Sequence, residues 1–230
     1  FHHIYEATRE LAGGRAVRVN DQVRFFTETM RRFNVETARY LREELGCRQL
    51  IAAENWRTAD AARLGDLERY AYTACDVIAK NHYFAGAHTG RQVSSRVFAG
   101  DLFTSRSVLT EPWAFPLNTR QVVGHPNIIT ESTWVHPNLY QAEAPFLVAA
   151  YRSLTGQDGL FWFAVGAGPG FAFNNSKWNA AVPTIAGQWP AAALLYRKGY
   201  VRQGPTVVHE ARTMAELWQR EPPVIVEGEG

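Results

Sequence analysis

The sequence predicts a parallel α/β fold, and three observations support that prediction. Amphipathic helical segments alternate with short apolar runs, and most of these runs lead directly into polar and aromatic residues. Apolar runs without alternation are typical of strands that are buried on both faces, as in parallel sheets covered by helices. Several helical segments also have Pro near their start or Gly after their end, which are favoured positions for these residues.

The composition is that of a folded protein, and it limits the expected partners. The hydrophobic share is 46% and the aromatic share 13%, so the 230 residues can bury a sizeable core. The net charge of +2 implies no field that would attract nucleic acid or an anionic membrane. No apolar run approaches the ~20 residues that span a bilayer. The first residues have neither the basic nor the apolar region of a signal peptide, which leaves the compartment open.

The first helix-strand unit begins with an amphipathic segment. Apolar residues spaced near 3.6 predict a helix over residues 21–45, with Gly46 as its stop. The run 49–53 then predicts a short buried strand. Three residues follow directly at the expected end of this strand, namely Glu54, Asn55 and Trp56.

The second unit repeats this order. A helix is predicted over 60–75 and a strand over 77–79. The strand leads into a polar and aromatic group, namely Asn81, His82, Tyr83 and Phe84. A long segment rich in Gly, Ser, Thr and Arg, residues 85–126, is then predicted to be an active-site loop with one modest helix over 116–123.

The third unit places a carboxylate at a strand end. A β-branched run over 127–131 predicts a strand that ends on Glu131, with Trp134 close behind. A helix is predicted to begin at Pro145 and to end at Gly156. An acidic residue at such a position is either catalytic or a simple cap or loop acid.

The last part of the chain holds a fourth strand and a change of pattern. A strand is predicted over 160–164, which contains Trp162, followed by a glycine-rich loop over 166–175 and a helix over 190–197. Further strands are predicted at 206–210 and 224–226, on either side of a short helix at 214–220. We therefore predict two regions: a partial (β/α) barrel at 1–204, and the start of an accessory β module or a C-terminal extension at 205–230.

Four buried-type strands are half of what a closed (β/α)8 barrel needs, and such a barrel takes ~250 residues. The ends of the four strands carry the residues of interest: Asn55 and Trp56; Asn81, His82, Tyr83 and Phe84; Glu131 and Trp134; Phe161, Trp162 and Phe163. With Gln188, Trp189 and Pro190 after them, this order resembles strands five to eight of a large superfamily of (β/α)8 glycoside hydrolases. In that superfamily the acid/base and the nucleophile lie on strands four and seven. The resemblance implies that the chain is the C-terminal half of such a barrel, with the N-terminal half absent or supplied by another chain.

The resemblance implies that Glu131 is the nucleophile of a retaining enzyme that cleaves a β-linked sugar. A retaining site needs two carboxyl groups ~5–5.5 Å apart. Tyr83 and His82, from the neighbouring strand end, are expected to hold the oxygens of Glu131. The indoles of Trp56, Trp134 and Trp162 offer flat faces for a sugar ring. Asn55 is expected to bond a sugar hydroxyl, or else to cap the following turn.

The expected acid/base of the family, the Glu of an Asn-Glu pair, has no counterpart here. Glu54 is a candidate, although its order is Glu-Asn; otherwise the acid/base lies outside this chain. Neither a metal site nor a cofactor is expected, since the seven histidines and two cysteines form no ligand motif. Two alternatives stay open: a degenerate barrel that binds carbohydrate or is structural without cleaving it, and a different barrel enzyme with Glu131 as general base.

Overall fold

The structure is a computed structural model that describes residues 12–57, 60–91, 93–166, 170–171 and 174–227. It is a mixed α/β protein with a small parallel sheet. The predicted α/β class is therefore confirmed at this level. The described strands form one three-stranded and one two-stranded sheet and close no barrel, so the barrel itself stays a prediction.

The chain divides into two compact units. The first comprises the described parts of Phe1–Lys80, with Arg120–Asn127 and Thr206–Glu227. The second comprises the described parts of Asn81–Thr119 and Ile128–Pro205. Residues 206–227 thus belong to the first unit, while the predicted division at 204/205 stays a prediction.

The described residues of the first unit form three helices: α1 (Gly13–Glu43), α2 (Gly65–Tyr72) and α6 (Met214–Trp218). Their apolar stripes meet in one cluster that is excluded from water, made of Val19, Val23, Leu64, Leu67 and Leu217. All three helices were predicted, although α1 begins earlier than expected and α2 is shorter. Gly46 follows α1 with a φ of +64°, a backbone conformation that glycine adopts without strain.

Three strands predicted in the first unit, at 49–53, 206–210 and 224–226, are absent from the structure. In 49–53, only Ala52 pairs, in an isolated parallel bridge with Val77. The amide of Ile51 donates instead to Oδ2 of Asp76 at 2.7 Å, so a side chain takes the place of a neighbouring strand. The same competition by side chains acts near the C-terminus.

The predicted strands at 206–210 and 224–226 are also absent, because neither segment has extended pairing in the structure. The amide of Val224 donates to the carboxylate of Glu210 at 3.2 Å rather than to a backbone carbonyl. Side chains such as Val207 (90% exposed) have no sheet face to pack on. The two predicted strands are therefore wrong, while the accessory module or C-terminal extension stays a prediction.

The predicted helix over 116–123 is a further correction. None of its residues is helical; residues 116, 117 and 123 lie in turns, and a short 3₁₀ segment, Pro112–Ala114, precedes them. The side chain of Asn127 accepts from the amide of Val122 at 3.0 Å and donates to its carbonyl at 3.2 Å. The amide and the carbonyl of Val122 therefore bond to a side chain and not to the backbone partners that a helix would provide.

The three-stranded sheet has the order β1-β4-β5, with β1 at Ile78–Asn81, β4 at Asn127–Ser132 and β5 at Gly159–Trp162. Strands β4 and β5 run parallel. Three predicted strands thus appear close to their expected positions. The predicted loop over 85–126 contains the antiparallel hairpin of β2 (His88–Thr89) and β3 (Leu102–Phe103).

The helices of the second unit are α3 (Ala144–Thr155), α4 (Pro183–Ala186) and α5 (Trp189–Arg197). The predictions for α3 and α5 are confirmed, including Gly156, which ends α3 with a φ of +69°. The core of this unit joins α3 to the sheet and to the segment after β3. Its buried members are Phe84, Val108, Ala114, Phe115, Leu117, Ile129, Trp134, Ala144, Leu147 and Val148.

Candidate functional site

Glu131 and Tyr83 come together at the ends of two neighbouring strands. The amide of His82 donates to the carbonyl of Glu131 at 3.0 Å, which aligns the end of β1 with the end of β4. The Tyr83 hydroxyl donates to Oε2 of Glu131 at 2.6 Å. A hydrogen bond to a carboxylate is roughly twice as strong as one between neutral groups. The carboxylate is therefore held in a fixed orientation while its side chain remains partly exposed.

The Tyr83 hydroxyl is a donor that does not ionise at neutral pH. Partial burial raises the pKa of Tyr83, and the bond to Glu131 and its negative charge raise it further. All three effects favour the protonated phenol. The hydroxyl hydrogen therefore stays available to the carboxylate.

A shift in strand register separates Glu131 from the core. Ile129 pairs with Leu160 and Ser132 with Trp162, so three steps along β4 match two along β5. Without this irregularity, Ile129 and Glu131 would share a face, since side chains of a strand alternate. An extra residue in one strand re-aims the side chains after it. Ile129 is thus buried in the core while the carboxylate of Glu131 meets Tyr83.

Two further aromatic side chains surround Tyr83. The ring centroid of Phe163 lies 6.2 Å from that of Tyr83, edge to face, and the ring centroid of Trp178 lies 6.1 Å away. Phe163 is 38% exposed and Trp178 is partly buried. Neither was expected as a site residue from the sequence. Strand alternation could have found Phe163, which follows Trp162 on the opposite side of the strand.

Two of the predicted sugar platforms pack on the core. Trp134 is fully buried, and its Nε1 donates to Oε1 of Glu143 at 3.0 Å. The structure thus corrects the expectation that Trp134 offers an open face. Trp162 packs against the same core, and its ring lies 6.2 Å from that of Trp189. It is partly buried, and Phe163 is the residue of this strand end that contacts Tyr83.

The contact between His82 and Glu131 runs through the backbone. His82 is 1% exposed, and its amide is the donor to the carbonyl of Glu131. We expected the side chains of both His82 and Tyr83 to hold the Glu131 carboxylate. The structure shows this contact for the side chain of Tyr83. Next to Glu131, the hydroxyl of Thr130 donates to Oδ1 of Asn81 at 2.8 Å, which ties the same two strand ends together.

The other predicted site residues lie in the first unit. Glu54 is exposed, and its Oε2 lies 3.5 Å from the Tyr72 hydroxyl. Asn55 is partly buried. Trp56 is 60% exposed, and its carbonyl accepts from Nζ of Lys80 at 2.9 Å. The roles predicted for Glu54, Asn55 and Trp56 stay predictions.

Within the part of the chain that the structure describes, no three His, Cys, Asp or Glu side chains come together as a metal site. None of the described helices combines the length and the apolar character needed to cross a bilayer. The predicted glycine-rich loop at 166–175 lies partly outside the described residues.

Comparison with protein-family profiles, with curated proteins and with solved structures gave no significant match. The function must therefore be argued from the geometry around Glu131. What that geometry offers is a partly exposed carboxylate, a neutral hydroxyl donor and three aromatic rings within one unit.

Proposed function

We propose that this chain is the nucleophile-bearing half of a retaining glycoside hydrolase that acts on a β-linked sugar. The observation that carries the proposal is the hydrogen bond of 2.6 Å from Tyr83 to Glu131 at the ends of two neighbouring strands. The active sites of (β/α) barrels lie at the C-terminal ends of their strands. A carboxylate held there by a neutral donor, with aromatic rings beside it, suits a sugar at that position.

In this mechanism one oxygen of Glu131 attacks the anomeric carbon while Tyr83 holds Oε2. The bond between the carbon and the leaving oxygen breaks, and the leaving oxygen takes a proton from a separate acid. Water, deprotonated by that same group, then cleaves the glycosyl ester and releases Glu131. The acid/base is proposed to lie in the other half of the barrel or, as a second candidate, to be Glu54.

The barrel half is part of the proposal. Strands β1, β4 and β5 take the places of strands six, seven and eight, and the bridge between Ala52 and Val77 takes the place of strand five. The remaining strands would come from a preceding segment or from another chain. The parallel direction of β4 and β5, with α3 between them in sequence, supports this arrangement.

A second candidate function is carbohydrate binding without cleavage, on a degenerate barrel. The aromatic rings of Tyr83, Phe163 and Trp178 favour it, since they would bind a sugar whether or not an acid/base is present. The two functions differ in one property, the reactivity of Glu131.

Replacing Glu131 by Gln tests the proposal, because the amide keeps the shape of the side chain and removes the nucleophile. Hydrolysis of 2,4-dinitrophenyl β-glycosides by the protein should fall by several orders of magnitude. Glu111→Gln is the matched control: Glu111 is also held by a donor, Nε of Arg106 at 2.8 Å, in the same unit. The proposal is wrong if Glu131→Gln and the parent hydrolyse these substrates equally fast.

A further inference from the structure

We propose that Trp178 is the binding platform for a neutral pyranose ring beside Glu131, a role that was predicted from the sequence for Trp56, Trp134 and Trp162. This inference rests on the proposed function and extends it by naming the subsite and the class of sugar. Four observations in the second unit support it. They are the position of Trp178 beside Tyr83, the backbone hydrogen bonds of residues 177 and 178, the hydrogen-bonded side chains that hold Lys177, and the charge of Glu131.

The first observation is the position of Trp178 in relation to the carboxylate. Its ring centroid lies 6.1 Å from that of Tyr83, with the planes inclined by 57°, and the Tyr83 hydroxyl is bonded to Glu131. Trp178 is partly exposed, whereas Trp134 is fully buried. An indole presents a large flat apolar surface to the C–H groups of a sugar ring. A ring on Trp178 would thus lie next to the residue that is proposed to attack it.

The second observation is that the backbone around Trp178 is fixed to three other segments. The carbonyl of Trp178 accepts from the amide of Ala164 at 2.5 Å. At the preceding residue, the amide of Lys177 donates to the carbonyl of Ser95 at 3.0 Å, and its carbonyl accepts from the amide of His136 at 2.7 Å. A platform that is already ordered loses little conformational entropy when a ligand binds.

The third observation is a chain of polar side chains that holds Lys177. Nδ1 of His88 lies 3.1 Å from Nζ of Lys177, and Nε2 of His88 lies 3.0 Å from Oδ2 of Asp101. The His88 ring stacks on Phe103 at 4.2 Å. Nζ of Lys177 in turn lies 5.7 Å from the centre of the Trp178 ring, within the range of a cation–π contact.

The fourth observation sets the charge of the sugar. The Glu131 carboxylate would repel a carboxylated ring placed against Trp178. The positive charge of Lys177 is offset by Asp101, whose carboxylate lies on the other side of the His88 ring. The subsite therefore fits neutral β-linked hexoses or pentoses rather than uronates.

The test measures binding of cellotetraose, xylotetraose and β-mannotetraose by calorimetry to Glu131→Gln protein, which cannot consume them. At least one of these sugars should bind. Adding Trp178→Ala should weaken that binding about tenfold or more, or about 1.4 kcal/mol, whereas Trp178→Phe should retain part of it. Trp113→Ala is the control, because Trp113 is an exposed tryptophan (58%) of the same unit.

The outcomes separate this inference from the function on which it rests. If a sugar binds and Trp178→Ala, still folded by circular dichroism, binds it as well as its parent, the platform is wrong and the proposed function stands. If Trp178→Ala does not fold, the sugar binding of Trp178→Leu and Trp178→Phe is compared with that of the parent instead, and unweakened binding by Trp178→Leu rules out the platform. If none of the three sugars binds, both are overturned. Tight binding of a β-mannuronate tetramer to the parent would overturn the neutral class.

Discussion

Tyr83 donates its hydroxyl hydrogen to Oε2 of Glu131 over 2.6 Å, and the two residues stand at the ends of adjacent strands. The amide of His82 and the carbonyl of Glu131 are also bonded, so this side-chain contact is backed by a backbone contact. One oxygen of the carboxylate, Oε2, is thereby held in place. The candidate chemistry of the protein depends on this pair.

The first prediction removes the donor. Tyr83→Phe keeps the ring and its contacts with Phe163 and Trp178 but loses a hydrogen bond to a charged group, which is worth about 1.5–3 kcal/mol. We expect kcat/KM for aryl glycosides to fall about 10- to 100-fold. Tyr140→Phe, at a tyrosine that is 49% exposed, is the control and should retain parental activity. Equal activity of both variants would contradict the role of Tyr83.

The second prediction concerns alkaline pH. Burial, followed by nearby carboxylates, raises the pKa values of Tyr72 and Tyr83 above the ordinary value of about 10. Above pH ~10 the unfolded chain therefore binds fewer protons than the folded one, so this stabilisation is present below that pH and is lost as the pH rises.

The measurement for this prediction is the melting temperature between pH 8 and pH 11. The double variant Tyr72→Phe/Tyr83→Phe lacks both hydroxyls and should lose less stability than the parent across this range. Other groups titrate in both proteins, so they cancel in the comparison. A fall of equal size in both proteins would show that neither tyrosine contributes.

The third prediction concerns the ion pair of Lys80 and Glu68, whose side chains are 7% and 5% exposed. Nζ of Lys80 also donates to the carbonyl of Trp56 at 2.9 Å and lies 4.5 Å from the centre of the Tyr72 ring. Burial lowers the pKa of Lys80 to about 8, against the attraction of Glu68. At pH 7 the group is therefore still an ammonium ion.

Lys80→Met would leave the Glu68 carboxylate buried without its partner, which we expect to cost about 3–5 kcal/mol of unfolding free energy. Urea unfolding at pH 7 measures this loss. The double variant Lys80→Met/Glu68→Met removes both charges and should recover most of it. If the double variant is less stable than Lys80→Met, the pair does not act as described.

The fourth prediction compares a buried with an exposed ion pair in the first unit. Glu227 accepts from Arg69, and both side chains are nearly excluded from solvent; its Oε1 also accepts from the amide of Arg120 at 2.5 Å. Glu227→Gln should therefore destabilise the protein by several kcal/mol, on the order of 3. Glu28→Gln breaks the exposed pair with Arg24 and should change stability by less than about 1 kcal/mol.

Both variants are measured by urea unfolding under the same conditions. The result also tests whether residues 206–227 are a structural part of the first unit. Similar small losses for Glu227→Gln and Glu28→Gln would mean that the buried bonds of Glu227 contribute little to the stability of this unit.

Periodicity predicted the elements that are held by packing. The helix Gly13–Glu43 and the strand Asn127–Ser132 both follow from the spacing of their apolar residues. The strands predicted at 49–53 and 224–226 are absent because the carboxylates of Asp76 and Glu210 accept from the amides of Ile51 and Val224, which a strand would need for pairing. No local pattern reports such distant side-chain competition.

The pairing of Tyr83 with Glu131 was predictable from the sequence, whereas the aromatic surroundings of this pair were not. Because both residues follow predicted strands, we expected Glu131 and Tyr83 to lie together, and the structure confirms this contact. The choice of tryptophan failed for Trp134, because a strand has two faces and the sequence does not say which one is covered by α3. Trp178 was missed because it lies in a loop, where no periodicity exists to place it.

The most direct test of the central claim is covalent trapping. The protein is incubated with 2,4-dinitrophenyl 2-deoxy-2-fluoro β-glycosides of glucose, xylose and mannose, digested with pepsin, and sequenced by mass spectrometry. A reactive nucleophile at the end of β4 predicts that one of these sugars is attached through an ester to Glu131, with no attachment in Glu131→Gln. Labelling of another carboxylate, or an unlabelled protein that nevertheless binds the tetrasaccharides, would contradict Glu131 as the nucleophile.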